Sequence, residues 1–350
     1  MKIILAIDKF KGCLSSAEAN AAAEEGVLMA LPSAEVISIP VSDGGEGWLE
    51  AFHAAIGGEL IDVKVCDPLM RVIHACYLRK GDIAIIEMAK ASGLSLLAEE
   101  ERNPLVATSY GTGQLVADAV ERGCKNIIVG LGGSAVSDAG KGMLKALTDT
   151  FDSRLEALKN IGFTIATDVM NPLYGPQGAA HVFAPQKGAT PEMVEELDLR
   201  AKNFAEASAR LHGYDCSSAA GAGAAGGLGY AFLQYLHADS HSGIELLLDT
   251  VGFDRLMADA DLVITGEGSS DSQTLMGKLP MGILRRSSSH HVPVYLIAGC
   301  ISQRQQLLEA GFALAECINP PNLPLEQALR PEIAKDNIRR LVRKLILSRV

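Results

Sequence analysis

The chain has 350 residues, 48% of them apolar and 21% charged, with 35 glycines and a formal net charge of −11. That length can bury a large core and predicts two domains. An acidic balance with no block of Lys and Arg argues against a nucleic-acid partner, because counterion release needs clustered cations.

The chain opens on Ile3–Ile7, which runs into Asp8-Lys9-Phe10-Lys11-Gly12. A short β-branched run closed in this way predicts a buried parallel strand. Asp8 ends the run too early for a signal peptide, and no later run approaches the roughly 20 apolar residues of a membrane span. A cytoplasmic protein without a membrane partner is expected. Ser15 and Glu18 form an S-x-x-E capping box for a helix reaching about Ala30, before Pro32. Val36–Val41 predicts a second strand, delivering Ser42-Asp43-Gly44-Gly45-Glu46-Gly47, and residues 48–56 continue as a helix.

From 61 to 104 the pattern changes. Asp62–Cys66, His74–Leu78 and Ile83–Met88 lie between Asp-Pro and Gly-Asp turns and predict a mixed or antiparallel sheet. A βα pattern returns after Pro104, with Leu115, Val116, Ala119 and Val120 on one helical face and Gly123 at its end. Ile127–Val129 then runs into Gly130-Leu131-Gly132-Gly133-Ser134, with Asp138 close behind. Phe163–Val169 and Ala180–Phe183 read as strands, and Pro191 opens a helix to about Leu211. Leu262–Thr265 runs into Gly266-Glu267-Gly268 and Asp271, and Val294–Ala298 runs into Gly299.

The expected fold class is α/β: a Rossmann-like parallel-sheet domain from 1–60, 105–150 and 221–350, with an inserted mixed α/β domain from 61–104 and 151–220. Ligands of open α/β sheets bind outside the carboxyl ends of the strands. The glycines and acids that end these runs are therefore expected to meet in one crevice. Seven cysteines, at 13, 66, 76, 124, 216, 300 and 317, form no CxxC pair and no zinc spacing. They read as reduced, mostly buried thiols.

Two glycine loops could approach a phosphate with backbone N–H groups. Gly130–Ala135 fits G-x-G-x-x-A, and Gly221–Gly226 fits G-x-G-x-x-G without a clean strand before it. The competing reading of both is close helix–strand packing. Gly140-Lys141 and Gly277-Lys278 lack the upstream glycine and the hydroxyl of a P-loop. Asp8, Asp43, Asp138, Glu267 and Asp271 follow predicted strand ends, with Glu46 near them. One such acid is ordinarily a turn former, whereas several aimed at one crevice suit a divalent cation or a proton transfer. Lys11, Lys187 and Lys278 could neutralise phosphate or simply face solvent. The eight histidines show no metal spacing.

Six blocks carry a resemblance. They are Asp8–Gly12, Ser42–Gly47, Gly132–Asp138, Pro185-Gln186-Lys187-Gly188-Ala189-Thr190, Gly221–Gly229 and Leu262–Gly268. In order and over nearly the whole chain they resemble the bacterial class I glycerate kinase family. The resemblance implies a two-domain α/β enzyme that uses ATP and Mg²⁺ to phosphorylate glycerate in an interdomain cleft, giving 2-phosphoglycerate. Gly132, Gly133, Ser134, Gly221, Gly223, Gly226 and Lys278 would then bind nucleotide, with Lys11 offsetting phosphate charge. Asp138, Glu267 and Asp271 would hold the metal, Asp43 or Asp168 would accept the hydroxyl proton, and Arg71 would clamp the glycerate carboxylate. The sequence departs from the family at Lys9, Ser137 and Ser269, where serine, asparagine and arginine are usual. The stretch between Thr150 and Leu155 is also shorter, so a break is expected between Phe151 and Asp152.

Two rival readings stand beside this one. An NAD(P)-dependent oxidoreductase would use Gly130–Ala135, with Asp149 or Asp152 near the ribose. A non-catalytic nucleotide-binding regulator would need the glycine loops but not the acids. Thermal shifts with ATP, NAD or NADP separate these classes.

Overall fold

The computed structural model describes residues 1–151, 155–275 and 277–349. The junction of Phe151 with Asp152 therefore lies outside the described residues, as does Asp152 itself. The strands are β1 (Lys2–Ile7), β2 (Glu35–Ser38), β3 (Glu59–Cys66), β4 (Val72–Lys80), β5 (Ile83–Glu87), β6 (Asn126–Gly130), β7 (Gly162–Ala166), β8 (Asp239–His241), β9 (Leu262–Ser270), β10 (Val294–Ile301) and β11 (Leu314–Cys317). The chain divides into two compact units: residues 1–42, 50–56 and 244–350, and residues 43–49 and 57–243.

The first unit holds a parallel sheet in the order β11-β10-β9-β1-β2. The connections run one way from β1 to β2 and the other way through β9, β10 and β11. The order therefore reverses between β1 and β9, and ligands settle at such a switch point, beyond the carboxyl ends of the strands. Ile3, Leu5 and Ile7 are fully buried, as are Ile4 and Ala6 between them, so both faces of β1 are covered. Helix Ser16–Ala30 packs alongside helix Pro331–Leu347, and both contribute to the core beneath β1. Its capping box forms as expected: the Glu18 amide donates to Ser15 Oγ at 3.2 Å, and the Ser15 amide donates to Glu18 Oε2 at 3.0 Å.

The second unit holds a mixed sheet in the order β3-β4-β5-β6-β7-β8. The first two pairings are antiparallel and the remaining three parallel. The antiparallel strands expected from 61–104 are present. The sheet also takes in β6, which the sequence reading assigns to the first domain. Helix Tyr110–Glu121 is the crossover that returns the chain from β5 to parallel β6, so residues 105–150 belong with the strands before them. Residues 221–243, with β8, likewise belong to this unit.

Two local expectations change. Ala180–Phe183 lies in a short helix, Ala179–Phe183, because an apolar run of four residues does not distinguish helix from strand. β9 runs on through Gly266 to Ser270, paired with β10 as far as Ser270↔Ile301. A Cβ at Gly266 would lie 2.3 Å from the Ile297 carbonyl oxygen, so the glycine serves close strand pairing rather than a turn. All seven cysteines are free, yet only Cys124 is fully buried, while Cys300 and Cys317 are exposed. No helix among the described residues is long and apolar enough to cross a membrane.

Candidate active site

In the first unit, candidate groups gather at the β1/β9 switch point. Asp8 follows β1 directly; its amide donates to the Gly266 carbonyl at 2.9 Å, and its Oδ1 accepts from the Lys9 amide. Lys11 lies in the exposed turn beyond, and a Cβ on Gly268 would come within 3.3 Å of the Lys11 amide nitrogen. Glu267 is 7% exposed and accepts a 2.6 Å hydrogen bond from the Thr274 hydroxyl. Burial raises its pKa, and the like charge of Asp271 pushes the same way; the Thr274 bond and Lys278 oppose them. Glu267, Asp271 and Lys278 thus form one electrostatic cluster, with Lys278 at the start of helix Leu279–Ser289.

A buried carboxyl with a second acid beside it favours a cation. Magnesium is held by one or two carboxylates with substrate phosphates and water completing its shell, so Glu267 and Asp271 fit it. Among the described residues no group of three or more His, Cys, Asp or Glu side chains is placed to hold a metal ion.

Asp138 is engaged within its own unit. It lies in the second unit, where Oδ2 accepts from the Ser109 amide at 2.8 Å, the Ser109 hydroxyl at 2.9 Å and the Gly142 amide at 3.0 Å. Its Oδ1 accepts from the Gly140 amide at 3.0 Å. With the Thr108 hydroxyl at 3.4 Å, five donors occupy the carboxylate, which fastens the start of helix Lys141–Thr150 to Ser109.

The second unit collects its candidates at the carboxyl ends of β5 to β8. Gly44 accepts from the Gly132 amide at 2.9 Å, and a Cβ on Gly44 would lie 3.0 Å from the Ala166 carbonyl oxygen. The Thr167 amide donates to the His241 carbonyl at 2.9 Å. Asp43 and Asp168 are therefore carried by neighbouring loops at one end of the sheet. Glu87 ends β5 at the same edge and is buried, accepting from the Leu49 amide at 3.2 Å. Sequence reasoning passed over it by extending that strand to Met88, although an apolar run closed by an acid is the signal used elsewhere.

The glycine loops divide. At Gly132 the amide is spent on Gly44, and a Cβ would lie 2.4 Å from Gly45 Cα, so this glycine answers to packing. Gly133 and Ser134 keep their amides free of protein acceptors among the described residues. Gly221–Gly226 is buried throughout. The Gly223 amide bonds the Asn171 carbonyl at 2.9 Å, Gly221 accepts from the Ala224 amide, and Gly226 accepts from the Ala139 amide at 3.0 Å. That loop packs the kinked start of helix Ala224–Leu236 against neighbouring backbone.

Arg71 sits at the correct end of the sheet, in the turn between β3 and β4, but its charge is engaged. Nε donates to Asp67 at 2.5 Å and Nη1 to Glu101 at 2.6 Å. It ties a turn together and is not a free carboxylate clamp. Asp149 bonds the Tyr110 hydroxyl at 3.0 Å and pairs with Lys145 on a helix rather than ending a strand, so it lacks the placement of a ribose-binding acid.

Lys187 is buried, not solvated. Its Nζ donates to Ser134 Oγ at 2.8 Å and to the Val136 carbonyl at 2.6 Å. Burial lowers its pKa from 10.5 to about 7, only partly offset by Asp138. The native state therefore releases this proton near pH 7, while the unfolded chain holds it to about pH 10.5. In that window the unfolded state binds more protons, so stability rises with pH. Lys187→Met should flatten the rise, read as the difference in urea midpoint between pH 7 and pH 9.5. An identical slope in the variant would refute the assignment.

The glycerate kinase family profile matches residues 3–156 and 148–348, two matches that overlap at 148–156. A glycerate kinase of Bacillus subtilis is 41% identical, covering 99% of this chain and 97% of its own. A glycerate 2-kinase of Escherichia coli is 39% identical over the same shares. A crystal structure from Salmonella typhimurium LT2, described as a glycerate kinase 2, superposes with a TM-score of 0.84 at 38% identity, covering 99% of this chain and 98% of that one. Matched from end to end in sequence and fold, the chain belongs to the glycerate kinase family.

Proposed function

We propose that this chain transfers the γ-phosphoryl group of ATP to the 2-hydroxyl of D-glycerate, giving 2-phosphoglycerate. The observation that carries the reading is the match to glycerate kinases across nearly the full chain. The 2-hydroxyl is supported by the Escherichia coli relative, which bears the name glycerate 2-kinase.

Phosphoryl transfer asks a protein for positioning and charge neutralisation more than for covalent chemistry. In the first unit, Lys11 and Lys278 supply positive charge near the switch point, where a nucleotide's phosphates would bind. Glu267 and Asp271 would hold Mg²⁺ there, and the ion would offset charge on the transferring group. In the second unit, the Gly133 and Ser134 amides offer donors to an anion, and Asp43 takes the proton from the attacking hydroxyl. Asp168, on the next loop, is the alternative base.

Two measurements test this. Purified protein with ATP, Mg²⁺ and D-glycerate should feed enolase and form phosphoenolpyruvate without a mutase, since enolase uses 2-phosphoglycerate directly. Product that appears only after mutase is added would move the reaction to the 3-hydroxyl, and no ADP at all would end the kinase reading. Asp271→Asn should lower kcat on the order of 10²-fold with little change in the KM for glycerate. Undiminished turnover at saturating Mg²⁺ would make Asp271 a turn former.

A further inference from the structure

Lys187 is a buried lysine that the proposed reaction does not use directly. Among the described residues it forms no ion pair; the carboxylate that acts on it, Asp138, is already held by five donors. Its Nζ donors are instead spent on one loop, with a hydrogen bond at each end of the turn from Ser134 to Val136.

The bond to Ser134 has a directional consequence. Lys187 Nζ is the donor in this bond, so Ser134 Oγ accepts and the serine's own proton is left pointing elsewhere. No protein acceptor takes that proton among the described residues, nor the amide protons of Gly133 and Ser134. Gly133, at φ 76°, is exposed, while Ser134 is half-buried beside it. Three unspent donors on one turn, the first residue left-handed, form a nest suited to an oxyanion. The isolated bridge between Gly93 and Ser134 fixes the turn from behind through Leu94 N–H to the Gly133 carbonyl and Ala135 N–H to the Ser92 carbonyl.

We infer that Lys187 is a positioning residue which, from inside the second unit, aims the Ser134 hydroxyl and the Gly133 and Ser134 amides at an anionic oxygen of a substrate. The inference rests on the kinase reading. The oxygen belongs either to the glycerate carboxylate or to a nucleotide phosphate; the two share one chemistry, and kinetics separates them.

The test compares Lys187→Met, Lys187→Arg, Ser134→Ala and the double variant Lys187→Met/Ser134→Ala, with both KM values measured. Loss of a charge-supported hydrogen bond should raise one KM about 10- to 100-fold, well beyond any fall in kcat. A rise for glycerate places the carboxylate on the nest, and a rise for ATP places a phosphate there. Lys187→Arg should recover part of the loss. The double variant should be no worse than the worse single, because the lysine acts through the serine. Fully additive losses, or a Lys187→Met protein with both KM values unmoved, would overturn the inference. If Lys187→Met does not fold, Ser134→Ala decides alone: it keeps the loop and removes the aimed hydroxyl, so unchanged KM values would sink the idea. Wild-type protein that forms no ADP would instead sink the kinase reading beneath it.

Discussion

Asp43→Asn is expected to lower kcat by about 10²- to 10⁴-fold while leaving the KM for glycerate within a few-fold, the signature of a lost general base. The substitution suits the local structure. The Gly45 amide donates to Asp43 Oδ1 at 3.3 Å, and an asparagine carbonyl can accept the same bond. The backbone around Asp43 is fixed by its neighbours: a Cβ on Gly243 would lie 2.2 Å from the Asp43 carbonyl oxygen. The variant should therefore unfold with wild-type cooperativity, and the loss should be chemical. Asp168→Asn is the matched comparison on the adjoining loop. If Asp168→Asn suffers the large loss and Asp43→Asn does not, the base is Asp168. If both keep wild-type turnover, neither carboxylate takes the proton.

Much of the fold was legible because local patterns carried it. The β1 run, the capping box at Ser15 and Glu18, and helix Trp48–Ile56 fall where the sequence predicts them. What failed was assignment to a sheet. Ile127–Val129 looks like Ile3–Ile7, since both are short buried parallel strands closed by glycine or acid. Nothing in either run states which neighbour it pairs with; that is decided by the crossover helix Tyr110–Glu121 and by β5. The carboxylates expected to share one crevice are accordingly distributed over two units, with Asp43, Asp138 and Asp168 in one and Asp8, Glu267 and Asp271 in the other.

The candidate site was legible by residue type and less so by role. Asp138 and Arg71 carry the right charges, but whether a charge is available depends on partners distant in sequence, such as Ser109 for Asp138 and Glu101 for Arg71. Lys187 shows the converse. A lysine between glutamine and glycine reads as solvated, and only the packed structure reveals it buried with Ser134 and Val136 as acceptors. Glycine motifs are ambiguous for a physical reason. The same absence of a Cβ serves approach to a phosphate and approach to another backbone, and only the surrounding atoms tell them apart.

Gly226→Ala makes that distinction measurable. Gly226 has φ 63°, and a Cβ there would lie 2.0 Å from the Val136 carbonyl oxygen and 2.6 Å from Ser137 Cα, both backbone atoms. Neither can swing aside as a side chain would, so the helix start and the Val136–Ala139 segment must separate. That strains the 3.0 Å bond from the Ala139 amide to the Gly226 carbonyl. The left-handed backbone costs about 1–2 kcal/mol for alanine and the overpacking about 1–3 kcal/mol more, so a loss of roughly 2–5 kcal/mol is expected. Gly213→Ala isolates the first contribution: Gly213 has φ 79° at the end of helix Pro191–His212, with nothing within 4 Å of its Cβ. Scanning calorimetry should show Gly226→Ala melting well below Gly213→Ala, and Gly213→Ala modestly below wild type. A phosphate cradle at Gly226 predicts the opposite pattern, with near-normal melting and a raised KM for ATP. Because the loop is buried and a Cβ at Gly226 meets backbone on the facing segment, the loss should fall on stability.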